Sequence, residues 1–572
     1  MDWLSEWLAA ANALLWHNNV LYLLLGTGIV FTFWSGFCQY RALTHGLKVT
    51  RGDYDNPDDP GAVNHFQALS AALSGTVGLG NIGGVALAIS LGGPGAVFWM
   101  WVVGLFGMAT KTVEVTLSML YRNTDDPDNP HGGPMWVVSK GLARMNPGYA
   151  GIGKVIGVIF GISTLCFAFA GGNMFQAWNV GEITQTYFGV PGIASGIVLV
   201  VLVGGTILGG IKRIGAVAGK LVPSMLALYL LAAFYVLFIN FDQIPAMFSM
   251  IIKGAFGPLE AQGAFIGGTF GYAFMYGMKR ALFSSEAGAG SSPMAHSAAR
   301  TKEPVREGVV AGLEPFIDTI VVCTLTALVI LSTGIWNRGA DAELASNVSV
   351  VQTEEGWTLN SGQLPPRQRD EWPANQQVFV ILQGDANERS GNNLQQLDGT
   401  IVESDTDGSL SIEWDAIESS AAPALEDRGL YASYVGATLT AKAFDTVVPG
   451  LGKWLVTMAV WLFAISTMIT WSYYGEQAMV YMAGERSVFP YKLVYCFLIL
   501  VATAGALRTD AELDNLSGFG SGAMLVANLP IMWLFASQAM KAYKDYIRRL
   551  DAGLVGDEHE PPTLDELLKK QG

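Results

Sequence analysis

Residues 66–90 read FQALSAALSGTVGLGNIGGVALAIS, an apolar run of helical length with Gly75, Gly78, Gly80, Gly83 and Gly84 crowded into its middle. Each glycine costs a helix about 1 kcal/mol relative to alanine, so this density predicts local unwinding. Unwound backbone at membrane depth survives only where it faces protein or a water-filled cavity. The end of the first half-helix offers carbonyls to a cation, and the start of the second offers amides to a carboxylate. The stretch is not a dinucleotide loop, because it interrupts an apolar helix and no strand precedes it.

A second run has the same character. Residues 263–293 read GAFIGGTFGYAFMYGMKRALFSSEAGAGSSP, with Gly267, Gly268, Gly271 and Gly277 in the first half. This pattern predicts a break near Met275, Tyr276 and Gly277, where the bulky pair leaves room for only a small side chain. Around these two lie nine further apolar runs, giving eleven predicted spans: 20–37, 66–91, 95–121, 152–180, 192–210, 214–239, 263–297, 308–334, 450–474, 491–507 and 520–541. Each approaches or exceeds the roughly 20 residues that cross a bilayer. Spans two and seven each open a set of five. An odd number per set gives the sets opposite orientation, as in inverted-repeat transporters.

Composition agrees with an all-α polytopic membrane protein. Only 14% of residues are charged and 51% are hydrophobic, where a soluble domain carries about 25% charged. Glycine makes up 68 of 572 residues, a surplus that suits close helix approach. Arg41, Lys48 and Arg51 follow span one, and basic residues follow every other odd-numbered span, ending with Lys541, Lys544, Arg548 and Arg549 after span eleven. The positive-inside tendency therefore predicts an outside N-terminus and a cytoplasmic C-terminus. The first twenty residues lack a signal-peptide pattern, so span one is expected to be retained. Cys38, Cys166, Cys323 and Cys496 fall in or at the ends of apolar runs and read as small buried hydrophobes.

The expected organisation is an extra N-terminal helix (1–40), a first five-helix repeat (64–240), a second repeat (263–336 and 450–541) and a cytoplasmic tail (542–572). Residues 337–430 form an acidic extracytoplasmic insertion. It holds seventeen acids, five arginines and no lysine, a net of −12 within the total of −15. Its short alternating runs predict a small β-rich or partly disordered domain. A charge of −15 gives no support to nucleic-acid binding, and no Walker loop, metal-ligand spacing or nucleophile–base arrangement points to an enzyme.

The motifs FQALSAALSGTVGLGNIGG, GGPGAVFWMWVVGLFG (92–107), GMKRALFSSEAGAGSSP (277–293), EPFIDT (314–319) and STMITWSYYGEQA (466–478) resemble the alanine or glycine:cation symporter family, the sodium:alanine symporters. The insertion has no counterpart in that pattern, and Gly104 stands where a small non-glycine residue is expected. The resemblance implies a leucine-transporter-type fold, five plus five inverted repeats behind one extra span. It also implies symport of alanine or glycine with sodium, no organic cofactor, and a site in the bilayer of a prokaryotic plasma membrane (the inner one in a Gram-negative cell). Residue by residue, the carbonyls of Ser74 and Val77 would face sodium, with the hydroxyls of Ser466 and Thr467 completing the shell. The amides of Leu79 and Gly80 would receive the substrate carboxylate, with Thr76 and Asn81 beside them.

On span four, Phe169, Asn173 and Gln176 share one face of a regular helix and are expected to wall the pocket. Charges inside spans cost several kcal/mol unless paired or hydrated, which makes Lys279, Arg280 and Glu286 candidates for gating. Asp318 is the candidate for proton coupling, the rival to sodium.

Overall fold

The computed structural model describes residues 2–257, 264–265, 267, 270–360, 364–367, 371–374, 376–385, 393–403, 408–434, 436–505, 510–556 and 560–569. Eight helical segments are long and apolar enough to cross a bilayer: Ala10–Ser35, Gly95–Tyr121, Pro147–Phe188, Gly210–Ile239, Pro304–Thr333, Leu451–Ala483, Glu485–Thr503 and Asn515–Asp551. A bent pair, His65–Thr76 with Gly80–Gly92, makes a ninth. The shorter apolar helix Gly192–Ile207 and the helix Phe270–Ser285 supply the remaining two. Every predicted run thus has a helix, and the helices are called spans one to eleven in chain order. The predicted boundaries Gly263 and Leu507, and Gly268, lie outside the described residues.

Burial sorts the spans. Leu451–Ala483 (span nine) is 78% buried over its apolar window and Gly95–Tyr121 (span three) 67%, whereas Gly210–Ile239 (span six) is 33% buried. The first two are the centre of the bundle, and the last presents its apolar surface outward to lipid. Two helices outside the spans, Ile244–Phe256 and Ala437–Val447, were not expected from the sequence.

Span two starts on a capping box. The Asn64 side chain accepts from the Gln67 amide at 2.8 Å, and the Gln67 side chain accepts from the Asn64 amide at 3.3 Å. At Val77 the chain leaves the helix (φ −78°, ψ 96°), and the two halves meet at 55°. The glycine-dense stretch is therefore the break the sequence predicted.

Span seven corrects the sequence reading. Met275, Tyr276 and Gly277 sit inside the uninterrupted helix Phe270–Ser285, and the break falls at residues 286–291, before a short helix Ser292–His296. Gly277 serves packing: a Cβ there would lie 2.4 Å from the Ala96 carbonyl oxygen of span three. The break is made instead by Glu286, Gly288 and Gly290, with φ of 50°, 92° and 84°. Positive φ is inexpensive for glycine and strained for glutamate.

The insertion is a β domain. Strands β1 (Ala342–Glu343), β2 (Val350–Thr353), β3 (Gly356–Leu359), β4 (Gln377–Gln383), β5 (Leu394–Glu403), β6 (Leu410–Trp414), β7 (Ala424–Leu425) and β8 (Gly429–Ala432) pair antiparallel throughout. The main sheet runs β1-β8-β4-β5-β6 with β7 on β4, and β2-β3 is a separate hairpin. Val378, Val380 and Leu382 of β4 share a core with Leu397, Ile401, Ile412 and Leu430. Phe379 and Ile381, on the other face, join Tyr431 in a second small cluster. Alternation along β4 thus buries both faces, which explains its unbroken run of apolar residues.

Candidate functional site: the cavity at the break of span two

A small cavity lies where span two unwinds. The break supplies Gly75, Thr76, Gly78, Leu79 and Gly80, and span four supplies Phe167, Gly171, Phe175 and Gln176. Span nine contributes Thr467 and Trp471, span seven Phe283 and Glu286, and span eleven Ser517. One wall is aromatic: the rings of Phe167 and Trp471 are 4.2 Å apart between centroids, and those of Phe167 and Phe283 are 6.2 Å apart. The opposite wall is backbone. Leu79 and Gly80 open the second half-helix, where the first amides have no partner within the helix.

Two buried polar atoms of lining residues have no protein partner among the described residues, the Thr467 hydroxyl and the Gln176 Oε1. Thr467 faces the break so closely that a Cβ on Gly78 would come within 3.0 Å of its Oγ1. A buried polar atom left unpaired costs about 1–3 kcal/mol, so these are positions where a bound group would be stabilised. Next to Thr467 in sequence, the Ser466 carbonyl accepts from the Ser74 hydroxyl at 2.7 Å and the Ser466 hydroxyl donates to the Phe463 carbonyl at 2.9 Å; Val77 is fully buried at the helix end. Neutral oxygens of this kind suit a hard monovalent cation.

Asn81 staples the break to span eight. Its Oδ1 accepts from the Gly78 amide at 2.9 Å, and its Nδ2 donates to the Asp318 carbonyl at 3.1 Å. Asp318 lies in the π-turn segment Phe316–Cys323, fully buried, with Oδ1 accepting from the Thr319 hydroxyl and Oδ2 unpartnered. It stands behind Asn81 and does not line the cavity. Glu286 does line it, and accepts from the Ser291 hydroxyl. Lys279 and Arg280 are half-buried in the last turns of the helix before the break, with the Arg280 guanidinium 5.9 Å from the Phe283 ring centroid.

Span four departs from the regular helix that the sequence spacing assumed. Residues Ala170–Met174 form a π-turn, whose extra residue rotates the faces apart. Gln176 therefore joins Phe167 and Gly171 at the cavity, while Phe169 and Asn173 turn to span ten. The Phe169 ring lies 5.5 Å from Tyr491, and Asn173 Nδ2 donates to the Tyr495 carbonyl at 2.8 Å. Met275, Tyr276 and Gly277 are not among the residues lining the cavity; Tyr276 lies against Gly92 of span two and Gly277 against Ala96 of span three.

The sequence reading missed Phe167, Phe175, Phe283 and Trp471. Trp471 and Phe283 sit inside motifs already singled out. The glycine pair Gly171–Gly172 was the available signal for the π-turn: a Cβ on Gly172 would lie 2.4 Å from that of Trp471.

The model of the sodium:alanine symporter family matches residues 1–359 and 421–560. The chain belongs to this family. The unmatched residues 360–420 all fall within the β domain. The sodium/alanine symporter AgcS of Methanococcus maripaludis is 34% identical over 554 residues, covering 96% of this chain and 99% of that protein. The putative sodium/proton-dependent alanine carrier protein YrbD of Bacillus subtilis is 32% identical, covering 96% and 94%. The probable sodium/glutamine symporter GlnT of B. subtilis is 38% identical over 322 residues, 56% of this chain and 64% of that one. Membership in the sodium:alanine symporter family makes this a multi-pass membrane protein of amino acid–cation symport.

Proposed function

We propose that the protein is a sodium-coupled symporter of a small neutral amino acid, alanine or glycine, working by alternating access around the break of span two. The observation that carries this reading is the cavity itself. It joins helix-opening amides at Leu79 and Gly80, an unpartnered Thr467 hydroxyl and a close aromatic wall, which together offer a carboxylate site, a cation site and little room for a side chain. Sodium is held by Thr467, Ser466 and the carbonyls of Ser74 and Val77. The substrate carboxylate meets Leu79 and Gly80, Gln176 contacts its polar groups, and Phe167, Phe283 and Trp471 exclude larger side chains. Binding of both ligands steadies the unwound segment and shifts the population toward the exchanging state. The N-terminus is outside and the basic loops face the cytoplasm of a prokaryotic cell.

The test is uptake of labelled alanine into proteoliposomes under an inward sodium gradient, against a matched potassium control. Sodium-dependent accumulation by wild type that Thr467→Ala reduces about tenfold or more supports the reading. Accumulation driven only by a proton gradient moves coupling to an acid such as Asp318. Binding without accumulation by folded protein points to a membrane sensor, and accumulation of glutamine in preference to alanine moves the substrate class.

A further inference from the structure

A line of fully buried ionisable groups crosses four helices on the side that carries the basic loops, and none of it lines the cavity. His65 of span two meets Glu307 of span eight through Nδ1 and Oε2. The other oxygen of Glu307 lies 2.5 Å from Nδ1 of His296, in the short helix after the break of span seven. Nε2 of His296 lies 2.8 Å from Oε1 of Glu314, and Glu314 Oε2 lies 3.4 Å from Nζ of Lys111 on span three. The Ser292 hydroxyl bridges Lys111 (2.8 Å) and Glu314 (3.0 Å).

Hydrogen counting decides what this line holds. Both nitrogens of His296 face carboxylate oxygens, yet a neutral imidazole has one N–H and one bare nitrogen. Two carboxylates can be satisfied only if a further hydrogen sits in the bracket. Charge gives the same answer: Lys111 with Glu307 and Glu314 sums to −1, and one added proton makes the line neutral. An uncompensated buried charge is strongly unfavourable. The surroundings add negative field. Glu114, Glu286 and Asp318 act on Lys111, and Glu114, Glu286 and Glu314 act on Tyr474 of span nine. Glu114 itself accepts from Asn528 of span eleven at 2.5 Å. The cations nearest the other end are Arg122, whose charge acts on Glu307, and Arg306 beside His45, which in turn faces His65. The line also has an exit: His65 Nε2 is 4.0 Å from Oδ1 of Asp55, an acid with a side chain 37% exposed, and has no hydrogen-bond partner among the described residues.

We propose that the His65–Glu307–His296–Glu314 line is a proton-binding site, distinct from the cation shell at Thr467, that titrates the seam between spans two, three, seven and eight and exchanges its proton through Asp55. Each ring takes hydrogen on one nitrogen and releases it from the other. A proton arriving from Asp55 at His65 Nε2 passes through Nδ1 to Glu307, from its second oxygen to His296 Nδ1, and rests shared with Glu314. Each transfer breaks one N–H or O–H bond as it forms the next, and the Glu307 carboxyl group turns its hydrogen from Oε2 to Oε1 in between; the line gains one proton overall, and His65 is left with its hydrogen on Nε2. Glu307 and Glu314 both belong to span eight, whereas the groups they hold belong to spans two, three and seven. Parting these helices would strand the carboxylates, so the proton and the closure of this face are linked.

The test needs no transport. The full chain, with ¹⁵N-labelled histidine and reconstituted in lipid, is followed by solid-state NMR from about pH 6 to about pH 10, the range that brackets histidine titration. The expected result is a ring with both nitrogens protonated at the acid end, losing one hydrogen across the range, and absent from His296→Gln. Should that variant not fold, the His296→Gln/Glu307→Gln protein keeps a neutral Lys111–Glu314 pair and supplies the same subtraction. In Glu307→Gln alone, the His296 ring is expected to be neutral throughout. A His296 ring that does not titrate, or that titrates unchanged in Glu307→Gln, overturns the proposal. Failure here leaves the sodium-coupled reading standing, and failure of alanine uptake leaves this site standing.

Discussion

The two interrupted helices break in different ways. Span two comes apart where its glycines are densest, over residues 77–79, and re-enters a helix at once with a bend of 55°. Span seven carries Gly271 and Gly277 inside one helix and breaks at residues 286–291, where three residues adopt positive φ. The contrast teaches that glycine in a membrane helix has two uses that composition cannot separate. Gly277 lets span seven lie against the Ala96 backbone, while Gly288 and Gly290 let it turn. Only the neighbours say which use applies.

The largest effect is expected where a glycine does both jobs. At Gly290 a Cβ would lie 2.5 Å from Pro134 and 2.8 Å from Phe160, in a backbone with φ of 84°. Gly290→Ala should destabilise the protein by about 3 kcal/mol, combining backbone strain with overpacking, and abolish uptake; thermal unfolding in detergent and proteoliposome flux would show both. A variant with wild-type stability would mean that this break is not rigid.

Gly277→Ala sharpens the contrast. Overpacking against Ala96 should cost about 2 kcal/mol, while the folded fraction keeps its KM for alanine. A changed KM with unchanged stability would return Gly277 to the site and undo the distinction between packing and turning glycines.

Next in size is a pair on span four. Gln176→Leu should raise KM for the amino acid about tenfold, equivalent to about 1.4 kcal/mol, because its side chain reaches the cavity. Asn173→Leu, three residues earlier, should leave KM alone and lower stability through the lost bond to Tyr495. Equal effects on KM would mean that the π-turn does not separate the two faces.

The smallest effect is expected away from both breaks. His45 follows span one outside the membrane segments, with Nε2 2.7 Å from the Tyr546 hydroxyl. Burial, reinforced by the positive charge of Arg306, lowers its pKa from 6.5 to about 4. A folded pKa below the unfolded value means that the unfolded chain takes up a proton first. The stability is therefore whole above about pH 6.5 and is lost as pH falls toward about 4. His45→Gln should flatten that acid loss by about 2 °C in the unfolding midpoint, read at several pH values. An unchanged acid limb would show that His45 is hydrated in the folded protein.

Much of the molecule was legible from residue order. Eleven apolar runs gave eleven helices, and the apolar run VFVIL (378–382) gave a strand of the inserted β domain buried on both faces. The unwinding of span two followed from glycine density, and Thr76, Leu79, Gly80, Gln176, Glu286 and Thr467, each singled out in the sequence, line one cavity. These are local properties: hydropathy over a bilayer's width, the entropy of glycine and the period of a strand are written in neighbours along the chain.

What the tertiary structure decided was every matter of facing. The π-turn at Ala170–Met174 turned Phe169 and Asn173 from the cavity toward span ten, and brought Phe167 and Gly171 in beside Gln176. Contact with span three assigned Gly277 to packing, and four helices meeting on one side aligned His65, Glu307, His296 and Glu314. The sequence lists these groups up to 249 positions apart, from His65 to Glu314, and assigns them no partners. A helix periodicity assumes a constant rotation per residue, so one inserted residue redirects all that follow. Buried charge, likewise, acquires a meaning only from the group across the gap.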